Sequence, residues 1–294
     1  MPINTLATAQ KFTGELDKLF AQKTVTGFML DNAFGAKFVG AKTILIPDLD
    51  MAGLADYDRD NGFAKGATTI SHESYTLTKD RGRQLQIDRE DMDETGVSNL
   101  AGQILGEFVR TKVVPECDAY VLSTLAGIAN TRSHASTYAE GSVYADLTDL
   151  ILSVQNEAGF DEELVAFVDT TMYGKLMSAN EITRHIIVSD FKQGDVNMKV
   201  KSLNGVALIP VNESRMKTLY EYTDNGFEEK EGAQAIRSIV LPKRACSLVK
   251  KTETMRIFTP EQNKDADAYV FNYRLYYDAF VKKSGLDSVW ALLD

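Results

Sequence analysis

From Lys37 to Asp88 the apolar and polar positions follow strand-like patterns. Lys42-Thr43-Ile44-Leu45-Ile46 is β-branched and apolar, and it is expected to stop at Pro47. Thr68 to Thr78 is rich in Thr, Ser and Tyr, and Gln84-Leu85-Gln86-Ile87-Asp88 alternates. The polar, glycine-containing span Asp48 to Gly66 lies between the first two stretches. This order predicts an extended hairpin with few residues able to bury it. Isolated hairpins are marginal in water, so the ribbon needs either its own body or a neighbouring molecule.

The clearest helix follows. Val97, Leu100, Ala101, Ile104, Leu105 and Phe108 form one continuous apolar face, and Asp91 with Glu94 supplies a capping-type start. Pro115 interrupts the pattern, which resumes through Ala119, Leu122 and Ala129, so a long helix kinked or broken near Val114 and ending by Asn130 is expected.

The middle of the chain reads as α/β. Leu147, Leu150, Ile151 and Val154 suit one helix and Met172 to Ala179 a second. Leu164 to Val168 suits a buried strand, Val206 to Ile209 a strand stopped by Pro210, and Ile236 to Leu241 another stopped by Pro242; Asp224 to Gly232 reads as an exposed loop. Near the end, Tyr269, Phe271, Tyr273, Leu275, Tyr277, Ala279 and Val281 occupy every second position. That strand would span roughly 40 Å at ~3.3 Å per residue, with Ala245 to Pro260 as its antiparallel partner. Residues 1 to 36 are polar and mixed, with one short helix around Glu15 to Lys23, and read as an arm. The fold class is α+β.

Composition changes the picture only in part. The formal net charge of -10 over 294 residues argues against a dedicated nucleic-acid binder, which would carry a basic face. Cys117 and Cys246 belong to no metal spacing or disulfide framework, which fits a reducing compartment. No secretory signal precedes the arm, and no apolar run approaches the ~20 residues that cross a bilayer, so a soluble, non-membrane protein is expected.

Candidate chemistry is thin. His72, His134 and His185 fall in different regions, and Glu181 with His185 lacks the second histidine of a zinc-protease helix. Asp56, Asp58 and Asp60 resemble the opening of a calcium loop, but Gly62 arrives one residue late and Ala67 stands where a Glu should close it. These aspartates are the metal candidates, read against a solvated hairpin tip. Gly35 and Gly40 before Lys42-Thr43 miss the phosphate-loop spacing and lead into a strand. No catalytic residue and no cofactor site is expected, and the chain reads as a non-enzyme. The tyrosines of the last long strand read as core rather than as a base-stacking platform.

Several phrases carry a resemblance. Gly53-Leu54-Ala55-Asp56-Tyr57-Asp58-Arg59, Gly62-Phe63, Gly66, Tyr75 to Arg81 and Gln86 to Thr95 resemble major capsid proteins of tailed phages, especially those of Gram-positive hosts. So do Asn204-Gly205-Val206-Ala207-Leu208-Ile209-Pro210-Val211, Ser214-Arg215-Met216 and the closing strands. The resemblance implies the Hong Kong 97-like fold, with an N-terminal arm (1–36), an extended loop (37–90) and a spine helix (91–130). An axial domain (131–243) and peripheral-domain strands with the C-terminus (244–294) would follow. It further implies a shell subunit that assembles through hexamers and pentamers around double-stranded DNA, located in the virion capsid and assembled in the host bacterial cytoplasm.

Scaffolding, portal and decoration proteins would be partners, and contact with the genome would be non-specific. Weak affinity for phosphate fits the negative balance. Tyr57, Arg59, Phe63, Lys65, Tyr75 and Leu77 are the candidate inter-subunit contacts. Some relatives join a loop lysine to a neighbour's asparagine, and Lys65 and Asn272 are the residue types required, though no spacing selects them. A fused scaffolding segment ahead of the arm is expected to be absent or removed. The alternatives are an encapsulin-type nanocompartment shell, a soluble metal-dependent hydrolase using the aspartate cluster, and a ring-forming adaptor or tail protein.

Overall fold

A computed structural model of the chain describes residues 19–20, 22–31, 37–40, 42–60, 62–63, 65–90, 100–133, 142–178, 186–193 and 196–294. The expected helix start at Asp91 and Glu94, the residues His134 and His185, and most of the arm lie outside the described residues.

The strands near the N-terminus are β1 (Lys37–Val39), β2 (Thr43–Met51), β3 (Thr68–Thr76) and β4 (Lys79–Asp88). β1, β2 and β3 form one antiparallel sheet; β4 leaves it and pairs with a strand near the C-terminus. β2 does not stop at Pro47 as the sequence pattern predicts: Pro47 pairs with His72 and the strand runs on to Met51. β1 reaches only as far as Leu45 on the outer side of β2. Beyond it that edge has no partner among the described residues, and a strand edge is where proline is tolerated.

The helices are α1 (Leu100–Phe108) and α2 (Val114–Ile128), joined by a π-helical turn at Val109–Val113 in which the Val114 amide donates to the Val109 carbonyl. The expected interruption is therefore a widened turn. Pro115 has no amide for the carbonyl of Thr111, and its ring would press on that carbonyl in an α-helix; one extra residue in the turn relieves the clash.

A seven-stranded sheet follows, in the order β5 (Asn130–Ser133), β15 (Trp290–Leu293), β12 (Ile236–Pro242), β6 (Leu164–Asp169), β9 (Val206–Val211), β8 (Val196–Leu203) and β7 (Ile186–Gln193). Helices α3 (Val143–Ala158) and α4 (Thr170–Ser178) cover one face. Leu164, Ala166 and Val168 of β6 meet α3 and α4, whereas Val165 and Phe167 enter the cluster containing α2. Burial on both faces is why this strand reads as a continuous apolar run. Pro242 ends β12 as expected, but Pro210 does not end β9: it pairs with Val168 on the β6 side, past the point where β8 stops pairing. Asn204 (φ 51°) and Gly205 (φ 84°) make the two-residue β8–β9 turn, a site that requires left-handed backbone. The expected exposed loop Asp224 to Gly232 is corrected as well. Its first half closes a small hairpin of β10 (Tyr220–Thr223) and β11 (Gly226–Glu229).

β13 (Cys246–Phe258), β14 (Ala268–Val281) and β4 make the last sheet, with β14 at its centre. The odd positions of β14, Phe271 through Val281, pack under α2. Tyr276 and Phe280, the apolar residues between them, pack under the base of the β2–β3 hairpin with Ile44, Ile46 and Leu77. Among the described residues no helix is long and apolar enough to cross a membrane.

Candidate assembly surface

The β2–β3 hairpin has two unlike halves. Near the body, Ile44 and Ile46 point inward and their cross-strand partners Tyr75 and Glu73 share that face. The Tyr75 ring lies 4.9 Å from the Phe280 ring. Its hydroxyl donates to Glu73 Oε2 at 2.6 Å, and burial together with that bond pushes its pKa up to about 12. Glu73 in turn pairs with Lys283, which holds the glutamate carboxyl below its ordinary range. Side chains two residues apart share a face of a strand. Past Pro47 the inward parity is therefore occupied by Asp48 and Asp50, and the apolar residues Leu49 and Met51 lie on the opposite face. Ile70, directly across from Leu49, joins them. Leu49 is 55% exposed, Met51 63% and Ile70 68%. The apolar side of the ribbon thus switches from the chain's own core to the outside.

The tip continues that exposed surface. Ala52 donates to the Ala67 carbonyl, and Asp58 and Gly62 exchange backbone bonds of 3.2 and 2.7 Å around a turn that puts Gly62 at φ 81°. Tyr57 and Phe63 touch edge to face at 5.0 Å, with Phe63 86% exposed, and Leu54 beside them is wholly exposed. Arg59 and Lys65 are exposed on the same tip. Asp56, Asp58 and Asp60 do not converge on a metal site. Asp58 Oδ1 accepts the Asp60 amide at 2.8 Å, and among the described residues no group of three could hold a metal ion. Of the contact candidates, Leu77 is corrected: at 2% exposure it is a core residue of this chain. Tyr75 is half-buried there too, while Tyr57, Arg59, Phe63 and Lys65 are outward.

Polar nodes that the sequence did not single out hold the hairpin base to the body. Buried Asp278 accepts the Thr78 amide at 2.9 Å and hydroxyl at 2.8 Å through Oδ2, and the Tyr120 hydroxyl at 2.8 Å through Oδ1. Asp80 takes both arms of Arg274, at 2.9 and 2.8 Å, and Lys42 at 3.2 Å. The Arg274 bonds hold its carboxyl well below the usual carboxylate range. On α2, fully buried Asp118 accepts from the hydroxyls of Thr24 and Thr26 and from Arg215 at 3.2 Å, and burial pushes its pKa up. That carboxylate joins the segment before β1 to α2 and to the loop after β9.

These sheets and helices, with a long two-stranded hairpin leaving the body, have the Hong Kong 97-like fold seen in tailed-phage capsid structures. The cyanophage P-SCSP1u capsid structure superposes with a TM-score of 0.59 at 13% identity, over 87% of this chain and 84% of that one. The mature capsid of bacteriophage PhiM1 gives 0.58 at 12% identity, over 86% and 82%. A virus-like particle from Pyrococcus furiosus gives 0.56 at 9% identity, over 96% and 98%. No protein-family model matches the chain, and no curated protein sequence does.

Proposed function

We propose that this chain is a major capsid protein, a non-enzymatic subunit that assembles through hexamers and pentamers into an icosahedral shell around double-stranded DNA. The observation that carries the reading is the switch of the hairpin's apolar side from the subunit's own core to the outside. A ribbon two strands wide cannot bury Leu49, Met51, Ile70 and Phe63 by itself, so these side chains gain cover only from another molecule. Repetition of one head-to-tail contact closes a ring of identical copies. The capsid structures that share the fold support the same reading.

In this reading residues 1–36 are the arm, 37–90 the extended loop and 91–130 the spine helix. Residues 131–243 form the axial domain and 244–294 the peripheral strands. Scaffolding, portal and decoration proteins are the other partners, and the shell is built in the host bacterial cytoplasm. A chain with net charge -10 lines a lumen without gripping phosphate, which leaves the genome free to enter and exit.

Negative-stain microscopy of the purified chain tests the proposal. Closed shells or rings of five and six support it; a single monomeric species at high concentration contradicts it. The likeness to a virus-like particle over 98% of that chain favours a second reading, a compartment that encloses protein. Nuclease-protected DNA inside purified particles separates the two: its presence supports the phage shell, and protein cargo in its place supports the compartment.

A further inference from the structure

On the body, β4, the π-helical turn and the β10–β11 hairpin enclose a cleft of about 590 Å³. That volume lies within the range of small-molecule sites, roughly 300–1,000 Å³. Tyr273 and Leu275 of β14 line it from the core. Phe108 lines it from α1 and Phe227 from β11, and each is half-buried. The Phe108 ring meets the Tyr273 ring edge to face at 6.0 Å. The widened turn adds Thr111, Lys112 and Val113 to the lining. Turns of that kind recur at functional sites.

The polar groups fall into two sets. Arg81 pairs with Glu116 at 2.8 Å and donates to the carbonyls of Thr223 and Gly226, and the Tyr277 hydroxyl donates to Glu116 Oε1 at 3.5 Å. That set satisfies itself. Arg83 and Lys112 are exposed. Arg83 donates to the Asp224 carbonyl at 2.6 Å, which leaves further donors of its five-donor guanidinium, and Lys112 makes no ion pair among the described residues. The carboxylates are Glu116, neutralised by Arg81, and Asp224, exposed on the β10–β11 turn. Cations therefore outnumber carboxylates at this cleft, in a chain whose net charge is -10.

We propose that the cleft binds a small amphipathic anion, an aryl carboxylate or its sulfonate equivalent. The aryl group lies against Tyr273, Leu275, Phe108 and Phe227, and the acid meets Arg83 and Lys112. Apolar walls with a few convergent polar groups are the usual make-up of such sites, and a charge-assisted bond from a guanidinium or ammonium fixes the acid's position. The inference concerns the body alone and stands apart from the self-assembly reading.

Anilinonaphthalene sulfonate is the probe. Titrated into the purified full chain and followed by fluorescence and calorimetry, it should saturate at one molecule per chain. Arg83→Gln with Lys112→Gln should weaken that binding at least about tenfold, the scale of one lost charge-assisted bond. Thr111→Trp, which sets an indole into the cleft from an exposed helical position, should weaken it by a similar factor. Phenylnaphthylamine, the same rings without the sulfonate, should bind the wild type at least about tenfold more weakly and be indifferent to the glutamine pair. Leu49→Ser with Ile70→Ser, on the exposed ribbon, should leave the affinity for the sulfonate unchanged. Circular dichroism with urea unfolding checks that each variant folds. No binding to the wild type, unchanged affinity in the glutamine pair or in Thr111→Trp, equal affinity for the uncharged rings, or loss of binding in the serine pair would each overturn the site.

Discussion

Asp278 shows how one side chain fixes where the hairpin leaves the body. It is 4% exposed, and its two oxygens take the amide and hydroxyl of Thr78, at the start of β4, and the hydroxyl of Tyr120 on α2. Asp278→Ala would remove the acceptor shared by exposed Thr78 and half-buried Tyr120 and should cost about 1–2 kcal/mol in urea unfolding. A loss under 0.5 kcal/mol, by the scale of ordinary surface changes, would show that the node is not structural. Asp80 adds a pH dependence. Its pKa is lowered by Arg274, so the stabilisation is complete above its ordinary value of 3.8 and is lost as pH falls below it. Acid titration should therefore loosen the hairpin base below about pH 4, and Asp80→Asn should flatten the stability profile there. An unchanged slope in the Asn variant would contradict that assignment. Neither node was legible beforehand, because Thr78, Tyr120 and Asp278 are far apart in the chain and meet only through packing.

The elements divide by how local their causes are. The expected α3, α4, β6 and β14 match the structure because one apolar face or a run buried on both faces dictates each of them, and β13 follows as the antiparallel partner expected for β14. The proline rules misplaced the ends of β2 and β9. Pro47 and Pro210 both sit where a neighbouring strand has stopped pairing, and strand order is not visible in a linear pattern. The β10–β11 hairpin was missed because its residues are mixed and half-exposed. The parity change from Ile44 and Ile46 to Leu49 and Met51 is present in the sequence, but it acquires meaning only once register fixes which face is inward. Two substitution sets separate the halves of the hairpin. Ile44→Ala, at a wholly buried site, should cost about 2–4 kcal/mol of stability. Leu49→Ser with Ile70→Ser should change monomer stability by under about 0.5 kcal/mol per site while reducing assembly. If the serine pair left particle yield unchanged, the outward apolar face would have no role in association.

At the scale of the whole molecule, the α+β class and the order of elements were readable from the chain, and the fold agrees with capsid structures at 12 and 13% identity. Such agreement at low identity is expected where packing constraints, rather than particular residues, define the architecture. The candidate tip was legible as a motif, whereas the cleft on the body draws on residues 81–85, 108–116 and 224–227 and could not be found by spacing. Among the described residues the chain buries most of its apolar side chains in three clusters and leaves those of the β2–β3 ribbon beyond Pro47 exposed. Hydrogen exchange of residues 47–70, compared between dispersed and assembled protein, tests that account most directly. Neighbouring copies should slow exchange throughout this ribbon on assembly while the amides of β6, already buried, keep their rates; a ribbon that exchanges equally fast in both states would contradict it.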